Sequence, residues 1–386
     1  MAKTLKVGFL CPYSGIYPNY AQHMMGGFLL GMGLDPAIQE QIHFIPAYTN
    51  MGGVTSTLEA AKKMLFFDRV DILSGLISFH SLPELKVLME GKQTIPFFFN
   101  LGENLLQQST LSKEIFINSQ FNWKSQFALG KWAQKEFGGT GICVTPFYES
   151  GYHLFSAFKK GTEAAGGLQI GLSVLPQSPD SSSYIDFKPF FESVSTEQPS
   201  FVHAIFCGKA GNEFLKAWFD QDFSQHIPLV TVENMAYEDM LEDLSNLNIK
   251  LYAASSWSRT SELPENTAFV NLFESKLGQK ANIFGLMGYE SGLAMKQIQP
   301  YLEKADLSSA RHFLENGKIY GPRAERSFNP WQHQSSTIDV LSIKTTNTNI
   351  HQTIIAQEKS ADQNSSLFQD ITSDILTGWQ NPYMCI

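Results

Sequence analysis

Apolar and polar positions change their spacing within the first few dozen residues. Lys6 to Pro12 is a nearly continuous apolar run that stops at Pro12-Tyr13-Ser14-Gly15, which reads as a buried strand running into a turn. From Ala21 onward, Met24, Met25, Phe28, Leu29 and Met32 recur at three- and four-residue steps, the spacing of one helix face. The alternation persists along the chain. Strand signals lie near 5–11, 42–48, 70–75, 95–99, 115–117, 141–145, 168–175, 201–207, 228–232 and 249–256. Helical patterns lie near 20–33, 54–67, 82–90, 123–137, 151–165, 210–222 and 236–244, and three more follow near 266–277, 286–304 and 307–316. Strands alternating with helices predict parallel sheets covered on both faces. Ligands of such folds sit beyond the carboxyl ends of the strands, so the Ser14-Gly15 turn is expected at a cleft. Gln177 to Ser183 reads as a surface loop, and the polar stretch 345–386 as an extension wrapping a second lobe, anchored by Trp379 and Tyr383.

Length and charge narrow this picture. A chain of 386 residues exceeds one ordinary core and suits two domains. Hydrophobic content of 43% with 17% charged residues describes a globular protein, and the 30 phenylalanines predict large aromatic cores. A net charge of −9 without a basic patch argues against a nucleic-acid partner. No run approaches the roughly 18 apolar residues a membrane span needs, so no membrane insertion is expected. Cys11, Cys143 and Cys207 each fall in an expected buried strand, Cys385 lies in the tail, and no pair has zinc-ligand spacing. No nucleophile elbow, P-loop or dinucleotide fingerprint is present, so neither enzymatic activity nor a cofactor is expected.

Several motifs, in order, resemble one known family. Pro12-Tyr13-Ser14-Gly15 with Tyr17, Tyr20 and Gly26-Gly27-Phe28 is similar to the start of the branched-chain amino-acid type of periplasmic substrate-binding protein. Gly288-Tyr289-Glu290-Ser291-Gly292, Gly321-Pro322-Arg323, Ser327-Phe328-Asn329-Pro330 and His333-Gln334 resemble its C-terminal part. The resemblance implies an α/β fold of two doubly wound parallel-sheet lobes joined by a three-strand hinge, the type I periplasmic binding protein fold. It implies crossovers near 118–122, 252–257 and 329–334. One lobe is then 1–119 plus 255–330, and the other 120–254 plus 331–386.

The resemblance also points to a set of ligand-binding candidates. After the third strand, Ser78, Phe79 and His80 occupy a turn that presents a hydroxyl and N–H groups to a ligand carboxylate; Ser78 also suits a helix cap. After the fourth, Asn100, Gly102 and Glu103 replace the small residues and threonine expected there, which weakens the case for a plain α-amino acid. Glu103 is placed either to meet an ammonium or to favour a helix N-terminus. Tyr148, Ser150 and Tyr152 fall on the aromatic turn, with the two tyrosines standing in for a stacking residue, or packing a helix start. Lys209 follows another strand. Glu233 matches an acidic residue that pairs with a ligand ammonium, or else begins a surface helix. Tyr17 and Trp257 either cap the cleft mouth or pack the hinge.

The expected function is capture of a small polar or zwitterionic metabolite, an amino acid or relative, for delivery to an ABC transporter permease from the periplasm. A cytoplasmic ligand sensor of the same fold, acting through a partner protein, is the alternative. The sequence opens directly into its first strand, which fits a processed form with an added Met or a cytoplasmic chain.

Overall fold

The computed structural model describes residues 4–105, 112–176, 185–329, 337–346, 349–362, 365–373 and 381–384. The chain first builds β1 (Leu5–Cys11), α1 (Tyr20–Met32), β2 (Ile42–Tyr48), α2 (Val54–Lys63), β3 (Ile72–Leu76), α3 (Leu82–Met89), β4 (Ile95–Asn100) and β5 (Phe116–Ser119). These five strands form a parallel sheet in the order β2-β1-β3-β4-β5. Its central strands are buried along their whole length, which is why they read as unbroken apolar runs.

The second set is α4 (Asn122–Phe137), β6 (Gly141–Pro146), α5 (Leu154–Ala164), β7 (Ile170–Leu175), α6 (Lys188–Glu197), β8 (Phe201–Ala204), α7 (Gly208–Phe219), β9 (Leu229–Thr231), α8 (Glu238–Leu241) and β10 (Lys250–Ser255). Three helices, α9 (Pro264–Leu277), α10 (Ile283–Glu303) and α11 (Leu307–Asn316), return the chain to the first lobe. A small ladder follows, β11 (Ile319–Gly321) with β12 (Ala324–Arg326). A long hairpin, β13 (Thr337–Thr346) and β14 (Asn349–Lys359), precedes α12 (Gln369–Ser373). The hairpin joins β10 antiparallel, giving a seven-stranded sheet β14-β13-β10-β9-β8-β6-β7. Stripped of the hairpin, its order repeats that of the first sheet: second, first, third, fourth, fifth strand. Both lobes are doubly wound, each with a switch point between its first and third strands.

The glycines of the terminal motifs set the packing of α1 on α10. A Cβ at Gly27 would stand 2.1 Å from the Gly285 carbonyl oxygen, and one at Gly31 equally close to that of Tyr289. The helices therefore touch backbone to backbone. The phenylalanines build cores, as in the cluster of Phe187, Phe191, Phe206, Phe214 and Trp218.

The expected elements and the structure differ at several ends. The helix expected over 54–67 stops at Lys63 and continues as a wider turn over Met64–Asp68, ended by Arg69 in the left-handed region (φ 52°). The strand expected over 201–207 stops at Ala204, so Cys207 stands at the entrance to α7 instead of in a strand. Burial alone makes a run apolar, whether extended or turning. Residues 236–244 hold only the short α8 between tight turns. Within 345–386 a strand, β14, lies where a polar extension was expected. As an edge strand it buries little, and its sequence gives a weak signal. The Gln177–Ser183 loop, Trp379, Cys385 and most of the 329–334 crossover lie outside the described residues.

Where the lobes join, an ion pair is sealed in. Arg323 donates to both carboxylate oxygens of Glu290, at 2.9 and 2.5 Å, and to Asn118 Oδ1 at 3.1 Å. Asn118 Nδ2 donates to Glu290 at 3.1 Å, and Arg326 donates to the Ser119 carbonyl at 2.9 Å. Burial alone would raise the Glu290 pKa, but the Arg323 guanidinium holds it below the usual carboxylate value. Two residues on, Phe121 carries a left-handed backbone (φ 60°) as the chain turns into α4.

Candidate functional site

The two switch points face each other. From the first sheet come the turn after β1, residues 12–17, and the turns after β3 and β4. From the second come the turns after β6 and β8, and Glu233 after β9. The candidate residues sort into three groups across this gap.

The first group braces the first lobe. Ser78 is buried and its Oγ accepts the His80 N–H at 3.3 Å, capping the short turn before α3. Phe79 is buried, and His80 is half-buried, its pKa lowered by burial against the opposing pull of Glu84. Asn100 ties three backbone segments together. Its Nδ2 donates to the Ile77 carbonyl at 3.3 Å, and its Oδ1 accepts from the Gly102 N–H and the Ser119 hydroxyl. Gly102 (φ +70°) lies so close to the Phe121 backbone that a Cβ would stand 2.4 Å from its Cα. Lys209 and Ser150 also turn from the gap: Lys209 is exposed and pairs with Glu213 at 3.5 Å, and Ser150 donates to the Phe147 carbonyl at 2.6 Å.

The second group surrounds a segment from far along the chain. Tyr148 and Tyr152 are buried, with their hydroxyls 2.9 Å apart. The Tyr152 hydroxyl reaches the Asn381 carbonyl at 3.3 Å, and Asn381 Nδ2 donates to the Tyr148 hydroxyl. Tyr383 is completely buried. Its ring meets Tyr152 edge-on at 5.2 Å, and its hydroxyl donates to Asn234 Oδ1 at 3.0 Å. Ser14 donates to the Met384 carbonyl at 2.7 Å, and Gly52 (φ +73°) leaves the space that Pro382 fills. Residues 381–384 thus touch both lobes. Tyr383 is an anchor, as expected, but in the gap between lobes and not along the outside of the second.

Two carboxyl groups are buried in this group. Neither oxygen of Glu103 makes a well-formed hydrogen bond among the described residues. Burial pushes its pKa to about 7, with only a small opposing effect from backbone N–H groups, its own and that of Tyr383. Burial likewise pushes Glu149 to about 8, against its own N–H and the Cys207 thiol and N–H. Neutral carboxyls can donate as well as accept hydrogen bonds.

The third group lines a cavity of about 240 Å³ shared by both lobes. Tyr17, His23 and Phe284 come from the first lobe, and Glu233, Tyr237, Ser255 and Trp257 from the second or the crossover. The Tyr17 hydroxyl is buried without a partner among the described residues, and Trp257 Nε1 donates to Asn266 at 2.7 Å. Glu233 is buried. It accepts hydroxyls from Ser125 at 3.2 Å, Ser255 at 3.3 Å and Ser256 at 2.9 Å, and burial raises its pKa against the opposing effect of Ser256, Ser125 and Gln120. Its carboxylate therefore fastens the crossover strands while one face meets the cavity.

Among the described residues, none of Glu103, Glu149 and Glu233 pairs with a lysine or arginine, and no cluster of His, Cys, Asp or Glu is arranged to hold a metal. No helix of the described residues is long and apolar enough to cross a membrane. Cys11, Cys143 and Cys207 are free thiols. Sequence reading passed over Glu149, Asn234, Tyr237 and Phe284. Glu149 sits inside the aromatic turn and Asn234 beside Glu233, so both were within reach; Tyr383 was marked as an anchor, but nothing local placed it between the lobes.

The fold has known counterparts. A substrate-binding protein of an ABC transporter from Sphaerobacter thermophilus superposes with a TM-score of 0.79 at 16% identity, covering 94% of this chain and 99% of that one. A Rhodopseudomonas palustris solute-binding protein in complex with 4-hydroxybenzoate gives 0.74 at 19%, covering 94% and 98%. Another from that organism, in complex with benzoate, gives 0.72 at 18%, covering 96% and 100%. At these identities the likeness establishes the type I periplasmic binding protein fold. Comparison with curated protein sequences finds no match. A model of the periplasmic binding protein family matches residues 4–348, and that family is one of binding proteins, not enzymes. A chain with two doubly wound lobes, facing switch points and this match over most of its length belongs to the periplasmic binding protein family.

Proposed function

We propose that this chain is an extracytoplasmic solute-binding protein that captures a small metabolite between its lobes and presents it to the permease of an ABC transporter. One observation carries the reading: the strand ends of both sheets, at matching switch points, meet across a gap that includes a cavity lined from both sides. Lobe closure around a solute is stabilised only by contacts to both halves, and this arrangement supplies them. The lobes are taken as residues 4–119 with 255–329, and 120–254 with 337–384.

The buried groups bear on the solute. Three carboxyl side chains without cationic partners disfavour a ligand that brings its negative charge to them, and favour a neutral, amide-bearing or amine-bearing one. Amino acids and their amides fit if the ammonium meets Glu233 or Glu103. Trp257, Tyr17 and Phe284 supply aromatic walls. The benzoate and 4-hydroxybenzoate held by the two Rhodopseudomonas proteins add substituted aromatic rings to the candidates. A melting-temperature screen of the full chain against amino acids, amides, amines and aromatic acids tests the reading, because a ligand specific for the folded state raises the melt by mass action. A saturable rise with one class supports it; no rise with any class at millimolar concentration overturns it.

A further inference from the structure

The place that topology reserves for a ligand holds part of the chain itself. Residues 381–384 reach both lobes at once: Ser14 and Gly52 on one side, and Tyr148, Tyr152 and Asn234 on the other. At the centre, the Tyr383 ring is fully enclosed, edge-on to Tyr152, with its hydroxyl on Asn234 and against the Cys207 thiol. Asn234 is itself fixed, since its Nδ2 donates to the Phe206 carbonyl at 2.9 Å, so its Oδ1 is aimed at the phenol in advance. This is a shaped receptor for a hydroxyaryl group: a closed slot bounded by the Tyr152 ring and the Cys207 thiol, with one oriented acceptor, Asn234 Oδ1, for the phenol. Beside it stands the buried Glu103 carboxyl, whose oxygens lack well-formed partners among the described residues and face the backbone of the same segment.

We propose that residues 381–384 fill, in cis, an aryl subsite of the interlobe cleft, and that the solute presents a para-substituted phenol to this subsite once the segment withdraws. The proposal rests on the binding reading above and adds to it a ligand class and a built-in competitor. A tethered occupant lowers apparent affinity by the fraction of molecules whose cleft is free, so a cleft filled in 99 of 100 molecules binds about 100-fold more weakly than an empty one. The Glu103 carboxyl then lies beside whatever polar group replaces the Asn381–Met384 backbone.

Titration of the full chain with p-cresol, the tyrosine side chain as a free molecule, tests the subsite. The Tyr383→Gly variant is expected to bind p-cresol saturably and to melt higher in its presence, with wild type at least about 30-fold weaker, the worth of one buried aromatic ring. Equal binding by the two proteins, or none by a Tyr383→Gly chain that shows a cooperative melt, overturns the proposal. Wild type gives a second readout that needs no variant. Met384 is buried and Met51 is exposed, so peroxide should oxidise Met51 first; equal rates would mean the segment is not seated, and would overturn it. Tyramine and 4-hydroxybenzamide at millimolar concentration should speed Met384 oxidation by displacing the segment, and an unchanged rate alongside a raised melt refutes competition. The two readings fail separately. A blank metabolite screen with p-cresol bound by Tyr383→Gly removes the transport solute and keeps the cis occupant, whereas a screening hit with no p-cresol binding does the reverse.

Discussion

Glu103→Gln isolates the cost of ionising a carboxyl in the cleft. In the unfolded chain this group titrates near 4.5, and in the folded chain burial moves it to about 7. Between those values the folded protein holds a proton that the unfolded chain has released, so stability falls as pH rises through the window and levels off above it. The window spans about two and a half pH units at about 1.4 kcal/mol each, or about 3.5 kcal/mol at most. Glutamine keeps the shape of the neutral form and cannot ionise. Urea unfolding at pH 5 and pH 8 measures the drop directly, and the comparison is between drops, so that any packing cost of the amide cancels. Wild type should lose more stability than Glu103→Gln on going from pH 5 to pH 8, by up to about 3 kcal/mol. If the two drops agree within about 0.5 kcal/mol, close to the accuracy of such extrapolations, Glu103 is already ionised in the folded state and the account of a carboxyl kept neutral by burial is refuted.

Other perturbations read other parts of the molecule. Arg323→Met strands the buried Glu290 carboxylate and should cost about 3–5 kcal/mol in urea unfolding, with Glu290→Gln in the same chain recovering much of the loss. Gly31→Ala forces a methyl group toward the Tyr289 carbonyl and should lower stability by about 1–3 kcal/mol, visible as a reduced melting temperature. His203 is buried, stacked on Phe158 at 3.7 Å and held neutral, its pKa depressed by burial to about 3. Its contribution is present above pH 6.5 and is lost as pH falls below that, by about 1.4 kcal/mol per unit. His203→Phe should flatten the decline in melting temperature between pH 6.5 and 4.5.

How far the sequence speaks depends on the range of the interaction. The parallel strands were legible because burial on both faces makes them apolar from end to end, as in Ile95–Asn100. The α1–α10 contact was not foreseen: its glycines stood out only as motifs of a family, and that they let two backbones touch is visible only in the structure. The β13–β14 hairpin was not legible, because an edge strand with one wet face carries mostly polar residues. In the cleft, residues beside strand ends were named, but their orientation was not. Asn100 and Gly102 brace the crossing to α4, and Lys209 turns to Glu213, according to hydrogen bonds that no spacing reveals. Tyr383 meets Tyr152 across more than two hundred positions, and no local pattern encodes a contact of that kind.

The torsion at Phe121 has a bearing on how the molecule flexes. A bulky aromatic held at φ 60° stores roughly 1–3 kcal/mol, maintained by the clasp that Arg323 and Arg326 make on Asn118 and Ser119 just before it. The crossing is therefore strained rather than slack: a change of conformation that let this residue relax would recover that energy. Glycine adopts that torsion without penalty, so replacing Phe121 with glycine would remove the stored energy.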